Sequence, residues 1–309
     1  MLREVQIWRD RRGRLSGLRL AALALLLTPV AIALWNADAI WHGARPLNDV
    51  IHRAGFWMLV FLLTSLAITP LRRITRFGRL VDVRRMIGVG AFVYGVAHIS
   101  LYAADQMFDI AKVASEIVLR VYLTIGATAL AGLAALAATS TDGMVRRLGA
   151  PRWQRLHYAV YGIAILALIH YFQQVKADVS APTFAAGVFG WLMGCRVVAT
   201  RWGTRGEVST LALIGLSVTV AALTFAAEAI GIAFAFNRPV LAVLDLDLDF
   251  DVDLDMIRPG WLVLGAGLAV SALNAACARL AGAKPRRPRA APPNKDTDET
   301  RAPAPARAG

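Results

Sequence analysis

Eight long apolar stretches constrain this chain more than any other feature. They lie near residues 18–35, 54–70, 86–104, 119–138, 157–173, 182–200, 210–236 and 260–280 of a 309-residue sequence that is 57% hydrophobic. An α-helix needs about 20 largely apolar residues to cross a bilayer's hydrocarbon core. Inside that core every backbone N–H and C=O must find a partner within the protein, which leaves helices or closed barrels. Runs of this length are helical, so the expected fold is an all-α integral membrane protein, a polytopic bundle of about eight transmembrane helices.

The charges between the runs set the expected orientation. Lys and Arg accumulate in cytoplasmic connections. The N-terminal arm carries Arg3, Arg9, Arg11, Arg12, Arg14 and Arg19, and the connection after the second run carries Arg72, Arg73, Arg76, Arg79, Arg84 and Arg85. Arg146, Arg147, Arg152 and Arg155 follow the fourth run, Arg201 and Arg205 the sixth, and Lys284, Arg286, Arg287 and Arg289 the eighth. The alternate connections are neutral or acidic, so both termini are expected in the cytoplasm. The net charge of +13 is thereby a topology signal, because short clusters between spans make no single basic face for nucleic acid. Ala37-Asp38-Ala39 resembles a signal cleavage site, but the run before it is long for a secretion signal and reads as a retained anchor. Cys195 and Cys277 fall within apolar runs without metal-type spacing.

The sequence divides into a basic arm (1–17), a core (18–204), an additional hairpin with an acidic exoplasmic loop (205–284) and a Pro-, Ala- and Arg-rich tail expected to be disordered (285–309). In the acidic loop Asp245, Asp247, Asp249, Asp251, Asp253 and Asp255 alternate with apolar residues at the period of a strand. Neither an EF-hand nor an RTX glycine spacing accompanies them. The plain reading is a solvated acidic loop.

Ionisable side chains inside a membrane segment are costly and rarely kept without a task. His98 lies 13 residues beyond Arg85 and His170 lies 13 residues beyond His157. At 1.5 Å per residue both sit roughly 20 Å along spans that run in the same direction. Two neutral imidazoles level with each other on parallel helices suit axial ligation of a haem between them. Hydrogen bonding to neighbouring helices is the alternative. His157, at the cytoplasmic border of the fifth span, stays open as a further ligand. Arg84 and Arg85 occupy the facing positions where its partner would stand, and on an ideal helix it points about 140° away from His170. His52, at the exoplasmic start of the second span, is either an interfacial capping residue or part of a quinol site. The sequence contains no dinucleotide fingerprint, Walker motif, zinc-protease motif or nucleophile elbow, so electrons must come from a membrane carrier or another protein.

Three segments carry a resemblance: TPLRR at 69–73, RRMIGVGAFVYGVAH at 84–98, and RRLGAPRWQRLHYAVY at 146–161 followed by His170 and Lys176. They resemble the haem-binding membrane subunits of bacterial periplasmic methionine-sulfoxide reductase systems, within the ferric-reductase-like transmembrane family. The resemblance covers roughly residues 18–200. It implies a six-helix core and a b-type cytochrome of the bacterial inner membrane. Such a subunit passes electrons from the quinone pool to a periplasmic molybdopterin-dependent reductase, and FMN is also associated with the family. It places the family's histidines on His98, His157 and His170. The family's tendency to Arg-Pro-Tyr before the fourth span is met here by Arg120-Val121-Tyr122, and the last hairpin is an addition to the six spans. Two other functions fit the same spans: a transmembrane ferric-type reductase fed by a cytosolic flavin reductase, and a scaffold or transporter without haem.

Overall fold

A computed structural model describes residue 8 and residues 14–175, 178–201, 208–248 and 257–282. Among these residues, eight helices are long and apolar enough to cross a membrane. The described α-helices, short ones included, begin in chain order with α1 (Gly17–Trp35), α2 (Ala37–Trp41), α3 (Pro46–Ile74), α4 (Val81–Asp105), α5 (Ile110–Leu119), α6 (Val121–Ala138) and α7 (Asp142–Leu148). They continue with α8 (Ala150–His157), α9 (Ala159–Gln174), α10 (Ser180–Arg201), α11 (Thr210–Phe236), α12 (Val240–Leu248) and α13 (Pro259–Gly282).

Local sequence sets several of these ends. The Ser16 side chain accepts a hydrogen bond from the Arg19 N–H to open α1. Pro46 begins α3, where its missing N–H costs nothing. Gly149, at φ 74°, makes the turn between α7 and α8, and Asn237 closes α11 in the left-handed region at φ 49°.

The bundle is built around α3. Its Leu59, Phe61, Leu62, Leu63 and Leu66 are buried because α4, α9 and α10 all pack on it, α4 most extensively. A second pair, α6 and α9, lies alongside, and α1 covers α4. The last pair, α11 and α13, packs on α10 through small residues. A Cβ added to Gly187 would lie 2.6 Å from Val263 Cγ2, and one added to Gly267 would lie 2.3 Å from Ser217 Oγ. Close approach over glycine is how membrane helices gain contact when no hydrophobic drive separates protein from lipid.

The observed spans extend several of the expected ones: α3 starts eight residues earlier, and the fifth expected run is essentially α9, preceded by α8 with a break at Tyr158. The sequence also did not announce α5, a short amphipathic helix between α4 and α6. The acidic run departs from its strand-like period. Its first part forms α12, in which Asp245 is exposed and Asp247 is fully buried. On a helix, residues two apart point to nearly opposite sides, so alternation that would line one edge of a strand divides the aspartates. Asp249, Asp251, Asp253 and Asp255, the tail, Lys176, Arg205 and most of the N-terminal arm lie outside the described residues.

Candidate functional site

Packing of α3 with α4 and of α6 with α9 brings His98 and His170 together. Their ring centroids are 6.3 Å apart and their planes are inclined by 81°. The two rings are held by the same construction. His98 Nδ1 lies 2.8 Å from the Ile51 carbonyl oxygen on α3, and His170 Nδ1 lies 2.8 Å from the Tyr122 carbonyl oxygen on α6. A carbonyl only accepts, so each Nδ1 carries the proton and each Nε2 keeps its lone pair for a metal.

Four residues after each carbonyl stands a glycine over which the ring lies. A Cβ at Gly55 would approach His98 Nδ1 to 3.0 Å, and one at Gly126 would approach His170 Nδ1 and Cε1 to 2.8 Å. Helical spacing of i and i+4 stacks the anchoring carbonyl and the open space on one face. Ile51, Gly55 and Gly126 carry no signal in the sequence, and Tyr122 stands out there only as part of Arg120-Val121-Tyr122. A glycine in an apolar helix is common in membrane segments, and only the fold shows which ones face a histidine.

The geometry can be tested against a bridging metal. Two metal–nitrogen bonds of about 2 Å, with the distance from each imidazole nitrogen to its ring centre added at either end, separate the centroids by roughly 6 Å. The observed 6.3 Å agrees. Among the described residues no three His, Cys, Asp or Glu side chains converge as a metal site. The pair is two nitrogen donors, the number that a haem, whose macrocycle brings its own four nitrogens, would draw from the protein. The rings line a cavity of about 440 Å³, apolar along Met58, Leu59, Ile99, Leu130 and Ala167. Its polar lining includes His52, Arg53, Tyr102, Tyr122 and Gln174. His52 is exposed on α3, and Arg53, its neighbour, is the one arginine that the described residues bring to that lining.

His157 is elsewhere. It stacks on Trp153 with centroids 3.8 Å apart and planes 27° apart. Its Nδ1 meets the Trp153 carbonyl oxygen at 3.0 Å and its Nε2 meets Ser140 Oγ at 3.3 Å. It lines a second cavity of about 700 Å³ at the arginine-rich end, shared with Arg73, Arg84, Arg85, Arg196 and Tyr161. Arg196 donates to the carbonyls of Leu192 and Leu66 at 2.8 and 2.7 Å and sits over the Tyr161 ring, 5.4 Å from its centroid. Arg85 pairs with Asp142. This chamber combines several cations with aromatic faces, the composition that takes an anionic, planar ligand. Leu62 and Leu133 line both cavities and stand between them.

Residues 53–168 match the family of ferric reductase like transmembrane components. The match contains His98 and His157 and stops two residues before His170. The chain is 40% identical over 200 residues to the protein-methionine-sulfoxide reductase heme-binding subunit MsrQ of Rhodospirillum rubrum, an alignment covering 62% of this chain and 89% of that protein. The chain belongs to the MsrQ family.

The MsrQ of Xanthomonas campestris (strain 8004) is 40% identical over 186 residues, covering 57% of this chain and 84% of its own. That of Xanthomonas euvesicatoria is 39% identical over 181 residues, with 56% and 83% covered. No solved structure matches the chain. Family membership and eight span-length helices make this an MsrQ-type multi-pass protein of the bacterial inner membrane, and they support the expected all-helical, ferric-reductase-like fold. MsrQ proteins carry haem in their name, and the imidazole pair is where the present fold could receive one.

Proposed function

We propose that this protein is the membrane electron-transfer subunit of a methionine-sulfoxide reductase system. On this reading, His98 and His170 hold a b-type haem on the exoplasmic side. The carrying observation is the pair of oriented imidazoles 6.3 Å apart, each with its Nε2 available. A bound haem supplies reversible one-electron transfer. Ile51 and Tyr122 fix the tautomers, Gly55 and Gly126 give the rings space, and the apolar lining excludes water. Arg53 offers a counter-charge to the haem carboxylates. Electrons leave to a periplasmic molybdopterin-dependent reductase, whose own cofactor reduces the sulfoxide. Quinol from the membrane pool is the donor, and His52 lies at the cavity lining where it can take a proton.

One observation favours a second donor. The arginine-lined cavity at the end assigned to the cytoplasm by its charge has the cations and aromatic rings for FMN, so a flavin there, reduced by a cytosolic flavin reductase, would feed the same haem. His157 belongs to this chamber.

The deciding measurement is the absorption spectrum of the purified, dithionite-reduced protein. A b-type α-band is expected, and His98→Ala or His170→Ala abolishes it. Unchanged haem content in both variants would refute the ligand assignment. Reduced quinone and then NADH with a flavin reductase, offered to the same preparation, distinguish the two donors by which one reduces the haem.

A further inference from the structure

The carbonyl that orients His170 is itself held by a polar chain at the rim of the histidine cavity. Arg120 is the one non-helical residue between α5 and α6 (φ −108°, ψ 109°), closing the first helix and opening the second. Its guanidinium grips Glu116 with two nitrogens, Nε to Oε2 at 3.0 Å and Nη2 to Oε1 at 3.1 Å. Its third nitrogen, Nη1, donates to Tyr122 Oη at 3.1 Å. Glu116 Oε2 also accepts from Tyr102 Oη at 3.1 Å, and Tyr102 stands one helical turn beyond His98 on α4. The chain therefore runs from the helix of one histidine, through α5, to the residue whose backbone anchors the other.

An exposed ion pair by itself contributes little, and Arg120 is half exposed. What distinguishes this one is geometry. A bidentate fork fixes the relative orientation of two groups; here it locks the Arg120 guanidinium to Glu116 of α5, which aims the remaining nitrogen at the Tyr122 hydroxyl. Tyr102 and Tyr122 both line the cavity. A turn of α6 at Tyr122 would tilt the carbonyl oxygen 2.8 Å from His170 Nδ1 and rotate the imidazole with it. Contacts to phenol and carboxylate also hold the Arg120 pKa above its ordinary value.

We propose that Glu116 and Arg120 are positioning residues for the imidazole pair, setting the plane of His170 against that of His98 through Tyr122. This rests on the haem reading. The angle between axial imidazole planes governs the splitting of the iron's two π-symmetric d orbitals, so it is read directly by low-temperature electron paramagnetic resonance of the oxidised protein, and the hydrogen bond at Nδ1 is read by the midpoint potential.

The test uses the full-length, haem-loaded protein and the variants Arg120→Ala, Glu116→Gln and Tyr122→Phe. All three are expected to keep native haem content while shifting both the largest g-value and the midpoint potential in the same sense. The Arg120→Ala/Glu116→Gln double variant should move no further than either single one, since the residues act as a unit. Arg120→Lys, with a single nitrogen in place of a planar fork, is expected to fall between. Lys112→Ala, exposed on the same helix, should leave both readouts native. Native spectra and potentials in Arg120→Ala and Tyr122→Phe would overturn the proposal. If Arg120→Ala loses haem, Tyr102→Phe and Tyr122→Phe decide, because each removes a single hydroxyl from the chain of contacts. A native preparation without haem would instead end the reading on which the proposal rests, before any variant is compared.

Discussion

At the scale of single residues, the candidate site depends on absent atoms as much as on present ones. Gly126 is the sharpest case, because a methyl group there would lie 2.8 Å from two atoms of the His170 ring. Real contacts do not occur at that distance, so Gly126→Ala must rotate the ring or part α6 from α9. Overpacking of this kind costs about 1–3 kcal/mol. Haem occupancy, measured as reduced α-band per protein, should fall severalfold in Gly126→Ala, and less in Gly55→Ala, whose clash at 3.0 Å is milder. Equal occupancy in both variants and the native protein would show that the rings have slack. The 81° inclination of the rings makes a separate prediction. With a haem held between them as proposed, imidazole planes this close to perpendicular would leave the iron's two π-symmetric d orbitals almost degenerate, so the oxidised, haem-loaded protein should give one strongly anisotropic low-spin resonance. A rhombic signal of the kind that parallel rings produce would contradict the ring geometry. The histidine pair itself was legible from depth arithmetic, since two equal offsets of 13 residues on parallel spans place the rings level. Their carbonyl and glycine partners were not, because they come from α3 and α6, whose rotation about their own axes no pattern in the sequence reports.

At the scale of elements, the end of the last hairpin is held by charge where apolar contact would be expected. Glu228 on α11 and Asp247 on α12 have fully buried side chains, and both face Arg258, which leads into α13, at 3.6 and 3.2 Å. Breaking a buried pair by removing the cation leaves uncompensated carboxylates, whereas neutralising one acid removes its desolvation cost along with its attraction. Arg258→Ala should therefore destabilise by about 3 kcal/mol, and Asp247→Asn should change stability by less than about 1 kcal/mol. Thermal unfolding in detergent measures both. Burial raises the Asp247 pKa against the pull of Arg258, so the folded protein keeps that proton to higher pH than the unfolded chain does. The associated stability is present at low pH and lost as pH rises from the ordinary carboxylate range through the raised value. Asp247→Asn should flatten that part of the profile. The alternating aspartates were visible in the sequence, but the helix that buries one of them was not, because a period of two carries no information about a helix whose capture depends on Arg258.

At the scale of the whole molecule, the spans and the arginine clusters between them were readable because the bilayer imposes them: hydrocarbon thickness fixes length, and the topology rule fixes charge. What the sequence did not show is that the described residues enclose both an imidazole chamber and an arginine chamber, with Leu62 and Leu133 lining each of them. The upper one is formed by helices chiefly from the two pairs α3–α4 and α6–α9. The lower adds Arg196 of α10, tied to the Leu66 carbonyl of α3 at 2.7 Å. Chambers with separate polar groups should lose their ligands separately. Arg84→Gln removes a cation from the arginine chamber without touching either imidazole, so if that chamber takes FMN as proposed, the variant should lower FMN retained on purification several-fold while leaving the α-band intact. His98→Ala should do the reverse. Flavin released by heating and quantified by fluorescence, alongside the reduced haem spectrum of the same sample, reads both outcomes. If Arg84→Gln retains native flavin, or if His98→Ala loses flavin and haem together, the two chambers are not independent ligand sites, and an electron route from one to the other through the Leu62–Leu133 partition loses its support.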